Sequence, residues 1–90
     1  MKEIPIITSA YNQTRHYTDR TVPGMMKHDH SIRAGVWGKI VVERGEVQYV
    51  IDGDDEVYTL TVDEPGVIEP LVKHRITPQP NSKFYIEFYR

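Results

Sequence analysis

Three features of this 90-residue sequence predict an all-β fold. β-Branched and aromatic residues gather in short runs, Gly, Pro and Asp turns separate those runs, and no window of about a dozen residues carries a helical period of apolar positions. Several short strands at such spacing favour a sandwich or a barrel.

Ala34 to Glu43 is the first strong strand, rich in Val and Ile, and Arg44-Gly45 turns it tightly into Glu46 to Ile51. Asp52-Gly53-Asp54-Asp55 supplies residues that tolerate left-handed backbone, and Glu56 to Val62 follows as the next strand. These three strands are expected to form a meander. Asp63-Glu64-Pro65-Gly66 is another turn, after which Val67 to Glu69 and Lys73 to Thr77 are short strands around a bend at Pro70. Pro78, Pro80 and Asn81-Ser82 break the chain before Lys83 to Tyr89. In that last strand, Phe84, Ile86 and Phe88 share one face and Tyr85, Glu87 and Tyr89 the other, because side chains alternate along a strand. The Phe-Ile-Phe face belongs to the core, and the other is either solvated or lines a polar pocket.

A chain this short buries only roughly 60% of its unfolded surface, so residues 1–90 make one domain, whose site is compact or is completed by a second subunit. Apolar residues at 39% and charged residues at 27% place the chain among folded globular proteins rather than disordered ones. Eleven Lys and Arg against thirteen Asp and Glu are scattered, leaving neither a nucleic-acid footprint nor a polybasic membrane patch. Without cysteine there are no disulfides, no thiolate ligands and no cysteine nucleophile. Met1 to Ala10 lacks the charged-then-apolar layout of a signal peptide, and no apolar run approaches the ~20 residues that span a bilayer, so the expected location is cytoplasmic.

The candidate site rests on three histidines. His28 and His30 flank Asp29, and residues i and i+2 of an extended strand point to one side, so both imidazoles can approach one ion. His74 ends a turn and short apolar segment that begins at Pro65-Gly66. Neutral imidazole suits zinc, iron, nickel or copper, and carboxylate oxygens admit manganese as well. Three nitrogens completed by a carboxylate or water make such a site, with Glu69 and Glu87 the carboxylate candidates. Glu69, in an apolar run before Pro70, either pairs with a cation or metal or points outward, since an unpaired buried carboxylate is costly. Glu87 either ligates metal or pairs with Arg33, Lys39 or Arg75. Trp37, Tyr49 and Tyr85 either wall a ligand cavity or serve the core or an interface, and, if no metal is bound, these same charges, Arg33, Lys39 and Arg75 among them, form an anion pocket instead. His16 reads as a surface histidine.

His28-Asp29-His30, followed by Pro65-Gly66 through Pro70 to His74, resembles the two motifs of the cupins, small double-stranded β-helix (jelly-roll) barrels. More narrowly, the run His30 to Ile40, Pro65 to Pro70, His74-Arg75 and the ending Phe84 to Arg90 resemble the TehB/YeaR-like tellurite-resistance family, over most of the chain from Val22 onward. Some members of that family precede a methyltransferase domain that uses S-adenosylmethionine; others stand alone. The methyltransferase's glycine-rich binding segment is absent here, so methyl transfer is not assigned. The resemblance implies a cupin-type barrel and a link to tellurite, oxidative or oxyanion stress. One departure concerns the ligand set: where the usual cupin carries a glutamate after its second motif histidine, this chain has Ala34 and Gly35.

The preferred reading is a small cupin that binds a divalent metal (zinc, nickel, iron or manganese) and a small molecule or oxyanion. A second reading is a metal-dependent enzyme of oxygenase or isomerase type, in which open coordination positions hold substrate. A third is a dimerisation or docking module for a separate methyltransferase; its edge strands and aromatic last strand point to a homodimer.

Overall fold

A computed structural model describes all 90 residues. Eight strands run β1 (Ala10–Gln13), β2 (Tyr17–Thr18), β3 (Trp37–Arg44), β4 (Val47–Ile51), β5 (Val57–Leu60), β6 (Gly66–Ile68), β7 (His74–Pro78) and β8 (Lys83–Tyr89), with one short 3₁₀ turn, Gly24–Lys27, between β2 and β3. All strand pairings are antiparallel. The first sheet has the order β1-β8-β3-β6, with β2 also on β8, and the second has the order β5-β4-β7. The all-β expectation holds. No helix is long and apolar enough to cross a membrane.

Two expectations need correction. The meander of three strands is divided between the sheets: β3 pairs with β6 and β8, while β4 pairs with β5 and β7. Arg44-Gly45 is therefore a corner from one sheet to the other. Gly45 makes it with a φ of +71°, and a Cβ there would lie 3.1 Å from the Ser82 backbone, so only glycine fits without strain. Nor do the sheets close into one barrel. β5 and β6, four and three residues long, are joined through a tight turn closed by the Thr61–Glu64 bridge, and they lie in different sheets with no ladder between them.

The core lies between the two sheets. Ile40, Val42, Ile68, Phe84 and Ile86 from the first face Val47, Tyr49, Leu60 and Ile76 from the second. Each such burial contributes about 1.5–3 kcal/mol, against the entropy of ordering a short chain. Phe88 packs at the margin of this cluster, so the predicted inner face of β8 is the observed one. Gly66 is on the inner side of β6, where a Cβ would sit 2.7 Å from Leu60 Cδ1 and 3.3 Å from the Tyr49 ring. The missing side chain lets Leu60 and Tyr49 fill the space. Tyr49 then ties the sheets together, its hydroxyl donating to the Val67 carbonyl at 2.8 Å.

Strand limits move where local turns intervene. β3 starts at Trp37 rather than Ala34, because Gly35 (φ +79°) and a Val36 N–H bond to the Arg33 carbonyl make a turn of the first residues. β1 and β2 carry no apolar alternation, and all of β1 is exposed.

Candidate functional site

β7 lies at one side of the second sheet, and the segment around His30 completes it. His30 and His74 are directly opposite: the His30 N–H donates to the His74 carbonyl at 3.1 Å and the His74 N–H returns to the His30 carbonyl at 2.8 Å. Such a reciprocal antiparallel pair sends both side chains to the same face of the sheet. The ring centroids are 4.1 Å apart, tilted by 60°. A third bond, from the Leu71 N–H to the Ile32 carbonyl at 2.9 Å, holds the same segment one step further along. Leu71 adopts a φ of +66° to make it, a left-handed conformation that costs a branched residue of order 1–3 kcal/mol. The strained turn thus stands next to the histidine pair that it positions.

Both rings are oriented by the same local device. His30 Nδ1 lies 3.0 Å from the carbonyl of His28, and His74 Nδ1 lies 3.1 Å from that of Val72, in each case two residues back. A carbonyl only accepts, so each Nδ1 carries a proton, and in the neutral ring the lone pair is on Nε2. Metal-bound histidines are commonly held in this way, by a carbonyl at the other ring nitrogen. His74 is only 2% exposed, and its Nε2 is buried without a hydrogen-bond partner. Burial, as the largest effect, lowers its pKa from 6.5 to about 4; the Val72 carbonyl opposes that, while nearby His30 adds to it. The imidazole is neutral at pH 7. Tyr49 stands edge-on to it at 5.9 Å and supplies an apolar wall.

The other sequence candidates are dispersed. His28 is exposed and contributes its carbonyl to the arrangement. Glu69 pairs with Lys2 at 3.2 Å, the cation-paired alternative. Glu87 accepts a bond from the Tyr89 hydroxyl at 2.5 Å, and that carboxylate raises the Tyr89 pKa to about 12. No group of three or more His, Asp or Glu side chains comes together to hold an ion. Trp37, Lys39 and Tyr85 alternate with the buried residues of β3 and β8, which puts them on the outer face of the first sheet. Lys39 there lines a 350 Å³ concavity beneath the N-terminal segment, Tyr49 belongs to the core, and Arg33 lines a different concavity. The five residues share no common lining.

Three participants escaped sequence reasoning. The carbonyls of His28 and Val72 carry no side-chain signal, and the left-handed turn at Leu71 lacks the glycine that usually announces one. His16 is exposed, as expected, and from there it hydrogen-bonds Glu43 through Nδ1 and stacks on Tyr85 at 4.5 Å. Its partner lies 27 residues away, beyond any local pattern.

The TehB-like domain family model matches residues 12–86. The chain belongs to the TehB-like family. Among solved structures, this TehB-like domain is similar to a protein from E. coli (strain K12), with 23% identity and a TM-score of 0.89 over 100% of this chain and 97% of the other. It is also similar to TehB from Haemophilus influenzae, with 24% identity and a TM-score of 0.82 over 91% of this chain. It spans only 31% of that TehB chain. At these identities the likeness carries the fold. Comparison with curated proteins gives no match.

Proposed function

We propose that this chain is a cupin-type binding domain that takes a divalent transition metal at His30 and His74 and serves a tellurite or oxidative-stress response. The strand order supports the jelly-roll part of the reading. With the His30 segment counted as a strand, the sheets read β1-β8-β3-β6 and His30-β7-β4-β5, the interleaving of two four-stranded sheets typical of that architecture.

The buried, unpartnered Nε2 of His74 carries the metal part. A polar atom withdrawn from water without a partner costs on the order of 1–3 kcal/mol, a cost that a bound ligand removes. The available chemistry selects a cation. Both Nδ1 protons are already engaged by carbonyls, so the Nε2 lone pairs are left free and would repel an oxyanion placed directly against them. The chain supplies two nitrogens only, and other positions around an ion fall to water or to a small molecule. A zinc, nickel, iron or manganese ion bound there would supply a Lewis acid to which an oxyanion can attach.

Titration calorimetry with zinc and nickel chlorides at pH 7.5 tests this reading. The unmodified, chelator-treated protein is expected to bind one ion. His30→Ala and His74→Ala, each confirmed as folded by circular dichroism, are expected to bind at least roughly tenfold more weakly. Binding that neither substitution weakens, or none by the unmodified chain, contradicts the assignment.

A further inference from the structure

A second concavity, of 420 Å³, lies where β1, β8 and the loop before β3 meet, lined by Tyr11, Asn12, Ile32, Arg33, Val36 and Phe88. Its volume is within the range of small-molecule sites. Its wall is apolar: Ile32 and Phe88 pack on the core at their inner sides, and Val36 is buried at 5% exposure. Its one charged lining residue is a cation. Arg33 is exposed and has no carboxylate within salt-bridge distance, since the ion pairs are Lys2–Glu69, His16–Glu43 and Arg75–Asp29. Asn12 uses its carbonyl oxygen on the Gln13 N–H at 2.9 Å, which leaves its NH₂ group to donate. Arg90 adds positive charge nearby, with its guanidinium 4.0 Å from the centre of the Tyr11 ring. No Asp or Glu lines the concavity.

We propose that this concavity is a binding site for a small monocarboxylate with an aromatic or branched apolar body. The Arg33 guanidinium can receive the carboxylate through two parallel N–H bonds, and the body covers Ile32, Val36 and Phe88. A compact inorganic anion would satisfy the arginine and leave the apolar wall wet. A neutral molecule would cover the wall and leave the arginine unpaired. Because Arg33 faces water, the ion pair is screened and the affinity is modest. Neither histidine lines this concavity, so it stands independently of the metal assignment.

An NMR titration of ¹⁵N-labelled protein at pH 7 and constant ionic strength tests it, using benzoate, benzyl alcohol and inorganic phosphate as probes. Benzoate is expected to give saturable shifts at the Arg33, Val36 and Phe88 amides with a Kd on the order of 1 mM. Benzyl alcohol and phosphate are expected to bind at least about fivefold more weakly, and Arg33→Gln is expected to weaken benzoate to a similar extent with the rest of the spectrum preserved. Absence of saturable benzoate shifts, equal binding by Arg33→Gln, or equal binding of either control probe overturns the proposal.

Discussion

Phe84→Ala is expected to destabilise the domain by about 3–5 kcal/mol, the range for emptying an aromatic site in a packed core. Phe84 is fully buried in the middle of the two-sheet interface, and its ring also receives Tyr17 of β2 at 5.8 Å. Its backbone lies on β8, which pairs with β1, β2 and β3, and Phe84 itself is opposite Tyr17 and Val42. Small domains have only about 5–15 kcal/mol of total stability, so this one truncation removes a large share. Urea unfolding followed by circular dichroism measures it as a lower midpoint. A change below about 1 kcal/mol would mean that Phe84 is not in the closely packed centre.

The second large effect is a pH dependence carried by His74. Its folded pKa of about 4 lies below the ordinary 6.5 because burial disfavours the imidazolium. Between those values the unfolded chain binds the proton and the folded one does not, so stability falls as the pH drops from 6.5 towards 4. Above 6.5 the contribution is fully present. At about 1.36 kcal/mol per unit the loss reaches on the order of 3 kcal/mol at the acid end. His74→Phe keeps a ring at the position and removes the titration. The unfolding free energy of the unmodified protein minus that of His74→Phe, both metal-free, should therefore fall by on the order of 3 kcal/mol between pH 6.5 and 4, the other titrating groups being common to both. Parallel curves would show that His74 titrates alike in both states.

Sequence and structure agree where a single strand carries enough alternation to declare its inner face. Phe84, Ile86 and Phe88 do so in β8, and the last strand keeps the predicted limits of Lys83 to Tyr89. They part where the pattern is silent on pairing. Val and Ile in β3 and β4 mark strands equally well for a meander or for two sheets, and only the corner at Gly45 separates the alternatives. β1 was not legible because all four of its residues are exposed, and with it went Tyr11 and Asn12 of the second concavity.

The candidate site was legible in its two central rings and no further. His30 and His74 lie together as the two histidine motifs suggested, and exposed His28 sets its carbonyl against the His30 ring. Facing was the missing information for Trp37, Lys39 and Tyr85. A shift of one residue reverses a strand's inward and outward sets, and these three fall on the outward set of the first sheet.

The tautomer of the two facing histidines tests the central claim most directly. Long-range ¹H–¹⁵N ring spectra of the metal-free protein at pH 7.5 should show His30 and His74 protonated on Nδ1 and bare on Nε2, and added zinc should shift both Nε2 resonances. A proton found on His74 Nε2, or Nε2 resonances that zinc leaves in place, would contradict a site built from paired imidazole lone pairs.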